Sequence, residues 1–165
     1  MCEMLLTTPE IFIVDLDGVL TDGKFYYDSS GKRLKAFGVD DSEALHALSK
    51  HLEIRVITAD KRGFEIAKAR IAADMGFSLE LVPSKSRCET LELSYRLDRA
   101  VYMGDGFYDA HVFRKVLYSI APANAFIETK KHANYVTNSL GGQGAVAEAC
   151  FHIADKFFDV NLTDL

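Results

Sequence analysis

A chain of 165 residues with 48% hydrophobic and 26% charged residues is too apolar to stay disordered, and it is long enough to bury roughly two-thirds of its unfolded surface in a single domain spanning 1–165. Its formal net charge of −5 argues against a nucleic-acid partner, because such a protein needs clustered Lys and Arg to displace counterions from phosphates. No segment approaches the roughly 20 apolar residues that span a bilayer, so no membrane partner is expected.

In chain order, Ile11-Val14 is the first expected strand, and it runs straight into Asp15-Leu16-Asp17-Gly18. Lys24-Tyr27 and Arg33-Ala36 flank Asp28-Ser29-Ser30-Gly31, which reads as the turn of a β-hairpin. Further strands are expected at Ile54-Ile57, Leu79-Val82 and Ala100-Met103, and helices at Arg62-Met75, Ser86-Leu97 and Phe107-Val116. Gly141-Gly142-Gln143-Gly144 leads into a terminal helix, Ala145-Phe158, after which the last residues should fray. Strands alternating with helices predict an α/β fold: a Rossmann-like parallel sheet with helices on both faces, here with a protruding hairpin. Cys2, Cys88 and Cys150 form no C-x-x-C pair, and Met1-Cys2-Glu3-Met4 offers no basic flank before an apolar run, so the cytoplasm with inert thiols is expected.

In a parallel sheet ligands bind beyond the carboxyl ends of the strands, where Asp15 and Asp17 fall. Two neighbouring carboxylates raise each other's pKa and cost stability unless a cation sits between them, a cost that Mg²⁺ would remove. Other strand ends carry matching chemistry. Thr58 follows Ile54-Ile57 with a hydroxyl suited to a phosphate oxygen. Lys85 follows Pro83 at a helix start, and Gly104-Asp105-Gly106-Phe107-Tyr108-Asp109 follows Ala100-Met103. Taken singly, a strand-ending Thr is a cap, a helix-starting Lys is solvated and Gly-Asp-Gly is a turn. Their joint order makes coincidence a poor account.

In this order the sequence resembles the haloacid dehalogenase-like phosphohydrolases, whose motifs run D-x-D, Ser/Thr, Lys and an acidic pair. D-L-D-G-V-L-T-D-G, the hairpin, Phe37-Gly38-Val39-Asp40-Asp41-Ser42, Ile57-Thr58-Ala59-Asp60 and Gly141-Gly142-Gln143-Gly144-Ala145 are similar to the small capless group. That group holds the 3-deoxy-D-manno-octulosonate 8-phosphate and nonulosonate 9-phosphate phosphatases, enzymes of lipopolysaccharide or sialic-acid-like sugar biosynthesis. The resemblance implies a Mg²⁺-dependent phosphatase acting on a small-molecule sugar phosphate. Asp15 would be the nucleophile and Asp17 the general acid and base. Mg²⁺ would be held by Asp15, the Asp17 carbonyl and Asp105. Thr58, the backbone at Ala59 and Lys85 would bind phosphate, with Asp109 behind them orienting Lys85. The group forms homotetramers in which a neighbouring subunit covers the site, and Phe25-Tyr26-Tyr27 of the hairpin could supply that contact here.

The sequence departs from the octulosonate enzymes at Asp40-Asp41-Ser42, where they carry R-D-G, at Thr58-Ala59-Asp60, where they carry T-G-R, and at Ala147, where they carry arginine. Exchanging cations for aspartates and an alanine alters how a sugar-acid carboxylate could be gripped, and leaves Lys61, Arg62 and Lys68 as candidate partners. Three other readings compete. A capless phosphatase acting on a protein or other macromolecule would use the same open site. A response-regulator receiver lacks a second acidic pair after its Lys, and a silent assembly module would not keep Asp15, Asp17, Lys85 and Asp105.

Overall fold

The computed structural model describes residues 7–163, so the expectations for Met1-Met4 and Cys2 lie outside the described residues. The chain forms β1 (Ile11–Asp15), a hairpin of β2 (Tyr26–Asp28) and β3 (Gly31–Leu34), and α1 (Asp40–Leu48). Then come β4 (Glu53–Thr58), α2 (Phe64–Lys68) continued by a wider turn over Ala69–Asp74, and β5 (Ser78–Leu81). α3 (Arg87–Ser94), β6 (Ala100–Met103), α4 (Asp109–Phe113) and β7 (Tyr118–Ala121) follow. α5 (Ile127–Lys130), β8 (Tyr135–Val136) and α6 (Ala145–Phe158) complete the order.

Six strands form one parallel sheet in the order β5-β4-β1-β6-β7-β8. The central strand β1 is buried along its whole length because both of its faces are covered, which is why its sequence is a continuous apolar run. Phe12 and Val14 point into a core built with Leu45 and Leu48 of α1, Ala67 of α2 and Val146, Cys150 and Ile153 of α6. Ile11 and Ile13 point into the opposite core, with Leu91 of α3 and Val112 and Phe113 of α4. At roughly 25 cal/mol per Å² of buried apolar area, these two cores are what anchors the end of β1.

The hairpin is a separate two-stranded sheet. Its turn is set by Asp28, whose Oδ1 accepts the Ser30 N–H at 2.8 Å, and by Gly31 with φ +123. A bridge between Thr21 and Phe37, with Asp22 N–H donating to the Ala36 carbonyl at 3.3 Å, ties its base to the loop after β1. Only a wide turn over Leu16–Leu20, the hairpin and α1 lie between β1 and β4, and only α2 with its wider turn lies between β4 and β5, so neither connection holds a cap. Among the described residues no helix is long and apolar enough to cross a membrane.

The bounds of β1, β4, β5 and β6 match the expectations to within a residue, the hairpin strands lie within two residues of theirs, and α2, α3 and α4 are shorter than the periodicity suggests. The sequence expectations do not include α1, β7, α5 or β8. The expected fraying after α6 does not hold at Leu162, which is buried against the first core. Cys150 is buried and Cys88 half-buried, and neither forms a disulfide.

Candidate active site

Asp15 closes β1, Thr58 closes β4, and Asp105 follows the end of β6, so three adjacent parallel strands deliver their polar ends to one edge of the sheet. Beyond Asp15 the chain makes a wide turn over Leu16–Leu20, closed by Thr21 N–H donating to the Leu16 carbonyl at 3.0 Å. Gly18 sits in it at φ +89, and a Cβ there would lie 2.0 Å from Asp105 Oδ2. Glycine is therefore required both by the turn and by the carboxylate packed against it.

The glycine-rich loop before α6 closes the turn from the other side. Asn124 donates from Nδ2 to the Gly18 carbonyl at 2.8 Å and accepts the Gly141 N–H at 2.6 Å. Gly142 N–H donates to the Val19 carbonyl at 3.0 Å. A Cβ on Gly141 would lie 2.0 Å from the Gly18 carbonyl oxygen, which gives the G-G-Q-G run a structural reason.

Asp15 accepts the Leu16 N–H on Oδ1 at 2.9 Å and Arg87 Nη1 on Oδ2 at 2.7 Å. The same Arg87 Nη1 donates to Asp109 Oδ1 at 2.6 Å, and that oxygen also accepts the Tyr102 hydroxyl at 2.7 Å. Asp109 Oδ2 accepts the Gly106 N–H at 2.8 Å. Asp109 is fully buried with both oxygens engaged, so it acts behind the site by orienting a cation. That cation is Arg87.

Lys85, the cation expected here, is exposed and lines a separate surface hollow with Cys88, Glu92 and His111. Ser84–Ser86 form a tight turn and α3 begins at Arg87. At three residues per turn, as in this tight turn, residues two apart lie roughly 240° apart around the axis, so 85 and 87 leave on different faces. The sequence showed two cations in the right place, and only the helical phase could choose between them.

Asp17 is turned toward the hairpin. Its Oδ1 accepts Lys35 Nζ at 2.7 Å and its Oδ2 accepts the Thr58 hydroxyl at 2.9 Å. Thr58 is thus spent on Asp17, and its oxygen also accepts the Asp60 N–H at 3.0 Å. Ala59 lines the cavity, as expected of the phosphate-facing backbone. Lys61, Arg62 and Lys68 are exposed. The further cations come from the hairpin: Lys32 pairs with Asp60, and Lys35 reaches Asp60 Oδ2 at 2.9 Å as well as Asp17. Nothing in the sequence marked these two lysines, since hairpin lysines are ordinarily solvated.

The cavity, of about 500 Å³, is lined among others by Asp15, Asp17, Lys32, Arg87, Asp105 and Phe107. Burial, reinforced by the neighbouring Asp109 charge and opposed by Arg87, pushes the Asp15 carboxyl up to about 7. Burial first, then the charges of Asp15 and Asp109, pushes Asp105 up to about 8. Asp15, Asp105 and Asp109 place carboxylate oxygens within 4.8 Å of one another. Hard oxygen donors under mutual repulsion form a site for a divalent cation such as Mg²⁺. Asp109 is 0% exposed and its oxygens accept three protein donors, against two for Asp15, so Asp15 and Asp105 are the side chains better placed to ligate it. The Asp17 carboxylate is not part of that group.

Comparison with known proteins points the same way. Residues 84–149 match the haloacid dehalogenase-like hydrolase family. The 3-deoxy-D-manno-octulosonate 8-phosphate phosphatase of Salmonella typhi is 35% identical over 147 residues, covering 85% of this chain and 76% of that protein. Its Haemophilus influenzae counterpart is 33% identical over 151 residues, covering 88% and 83%. The crystal structure of the Moraxella catarrhalis phosphatase of this name, in complex with magnesium ion, phosphate ion and a KDO molecule, aligns with a TM-score of 0.79 at 29% identity, covering 91% of this chain and 88% of that one. The cobalt-bound Haemophilus influenzae structure aligns with a TM-score of 0.77 at 27% identity, covering 95% and 96%.

Proposed function

Because the chain belongs to the haloacid dehalogenase-like hydrolases, in the branch of the 3-deoxy-D-manno-octulosonate 8-phosphate phosphatases, we propose that it hydrolyses the phosphate monoester of a small sugar acid of that class in a Mg²⁺-dependent reaction. The observation that carries this reading is the meeting of Asp15, Asp17, Arg87 and Asp105 in one cavity at the carboxyl ends of β1, β4 and β6.

Asp15 is the nucleophile. The Leu16 N–H and Arg87 hold its carboxylate at the end of a rigid strand, so that it attacks phosphorus without first having to be ordered. Asp17 donates a proton to the departing sugar oxygen and then takes one from the water that hydrolyses the aspartyl-phosphate. Arg87 neutralises charge in place of Lys85. Arg87 lines the cavity and its hydrogen bonds to Asp15, Tyr102 and Asp109 all leave from Nη1, which leaves Nη2 for a phosphate oxygen. With Ala59 and neighbouring backbone N–H groups it stabilises the equatorial oxygens of the transferring phosphoryl group. Mg²⁺ held by Asp15, Asp105 and the Asp17 carbonyl would supply the remaining positive charge and neutralise the carboxylates between turnovers.

A cavity of about 500 Å³ suits a sugar phosphate better than a macromolecular phosphoester. We place the enzyme in the cytoplasm as a homotetramer, in which a neighbour completes the wall that a cap would otherwise provide. Steady-state turnover on sugar phosphates and phosphopeptides, with and without exhaustive chelation, tests the assignment. Efficient hydrolysis confined to sugar-acid phosphates and abolished by chelation is expected. Preference for phosphopeptides, or full activity after chelation, would overturn it.

A further inference from the structure

The most fully built polar structure not used by the chemistry above joins the hairpin to Asp17. From Asp17 Oδ1 a bond runs to Lys35 Nζ at 2.7 Å and on to Asp60 Oδ2 at 2.9 Å. From the Asp60 N–H a bond runs to Thr58 Oγ1 at 3.0 Å, and the Thr58 hydroxyl returns to Asp17 Oδ2 at 2.9 Å. The ring is closed, and both oxygens of Asp17 belong to it.

Its members are held from outside as well. Asp60 Oδ1 accepts the Gly63 N–H at 3.1 Å, and Lys32 meets Asp60 Oδ2 beside Lys35. A Cβ on Gly63 would lie 2.2 Å from Asp60 Oδ2 and 2.8 Å from Lys35 Cε, so the space that lets the lysine reach both aspartates exists because residue 63 is glycine. Lys32 in turn sits 3.5 Å from the Phe25 ring centroid.

The Lys35 side chain is 0% exposed and that of Asp17 is 19% exposed. A lysine desolvated this completely is costly unless it is paired and hydrogen-bonded, and here it bridges two carboxylates on different elements. It leaves the hairpin one residue after β3, on the stem that the Thr21–Phe37 bridge fixes beside the loop after β1. The hairpin is therefore wired to the proton-transfer group as well as packed near it.

We propose that Lys35 is a positioning residue for Asp17: with Thr58 and Asp60 it fixes the direction of the Asp17 carboxylate, so that the hairpin sets the geometry of proton transfer to the leaving group. The inference rests on the assignment of Asp17 as proton donor made above. It does not give Lys35 a contact with substrate.

Leaving-group dependence separates this role from its rivals, because an aryl phosphate departs without protonation and a sugar alkoxide does not. The measurement is kcat/KM, which counts only steps through the first irreversible one, for p-nitrophenyl phosphate, a neutral sugar phosphate and a sugar-acid phosphate. The proteins compared are wild type, Lys35→Met and Lys35→Arg. Lys35→Met should lower kcat/KM about tenfold or more on both sugar esters and less than about threefold on the aryl ester, with Lys35→Arg recovering most of the loss. Equal losses on all three esters would reduce Lys35 to a folding role. A loss confined to the sugar acid would make it a substrate-carboxylate contact. Either result overturns the proposal. Should Lys35→Met fail to fold, Asp60→Asn keeps Lys35 and removes its outer anchor, and must show the same leaving-group selectivity. A wild-type protein that cleaves none of the three would overturn the phosphatase reading, and this inference with it.

Discussion

Asp15 and Asp105 illustrate what one buried carboxylate costs its fold and how a cation relieves it. Both begin from 3.8 and are pushed up, to about 7 and about 8, chiefly by burial. In the metal-free protein the unfolded chain releases these protons near pH 4 while the fold retains them to pH 7 or 8. The contribution of these two groups to stability is therefore greatest in acid and falls as pH rises through that window, by up to roughly 1.4 kcal/mol per unit for each group. A divalent cation binds the ionised form and displaces the protons, so its affinity rises over the same window. We expect Mg²⁺ to raise Tm by only a degree or two at pH 5 and by roughly 5–10 °C at pH 8; equal shifts at both pH values would contradict the ligand assignment. The two cations of the Ser84-Lys85-Ser86-Arg87 segment give a second test at this scale. Lys85→Ala should change kcat/KM by less than about twofold, as for a solvated lysine. Arg87→Lys should cost at least about tenfold in soluble, folded protein, because the ammonium falls one bond short of the place from which Nη1 meets both Asp15 and Asp109, and it lacks a second nitrogen to reach phosphate. Steady-state kinetics of the two variants side by side would decide which residue neutralises charge.

The elements divide into those whose signal is local and those whose placement depends on distant partners. The glycine-rich loop before α6 is one whose purpose only the fold reveals: it locks the turn carrying Asp17 and Gly18 through Asn124 and Gly142. Gly141→Ala should force the two backbones apart, since its Cβ would lie 2.0 Å from the Gly18 carbonyl oxygen. An overpacking cost of roughly 1–3 kcal/mol corresponds to a fall in Tm of about 3–10 °C, with a parallel loss of activity as the turn shifts. Thermal unfolding within a degree of wild type would show that the loop does not bear on the turn. β1, β4, β5 and β6 were legible because short apolar runs end in turn or polar residues, and α6 because its apolar face repeats over 14 residues. α1 escapes the sequence pattern because its start, Asp40-Asp41-Ser42, reads as part of a motif, and β7 and β8 because four and two residues carry too little pattern. Asp15, Asp17, Thr58, Asp105 and Asp109 were legible from their positions at strand ends. Arg87 and Lys35 were not: one depends on where a helix begins, and the other on a hairpin whose base is tied to the loop after β1, which no local pattern records.

At the scale of the whole molecule, the capless fold leaves its cavity open beside apolar surface. Phe25, Tyr26 and Tyr27 of the hairpin are 47%, 43% and 58% exposed, and Leu34 and Val39 are more exposed still, at 62% and 72%. Phe107, Phe126 and Ile127, also exposed, stand on the other side, with Phe107 and Phe126 ring to ring and Phe107 itself lining the cavity. Aromatic side chains left in water on two elements flanking one site are the surface an interface needs, and burying them against copies of the same chain would remove that cost while excluding water from the reaction. The hairpin would then serve two ends, the assembly through its outer aromatic face and Asp17 through Lys35, so that dissociation is felt in the chemistry. Tyr26→Glu with Tyr27→Lys should split the proposed homotetramer, because each charge would be stranded in an apolar contact. Turnover on the physiological sugar phosphate should fall by about tenfold or more, while p-nitrophenyl phosphate, which draws less on remote contacts, loses only a few-fold. Light scattering combined with kinetics on the two esters checks this; a wild-type protein that is monomeric and fully active would show that each site is complete within its own chain.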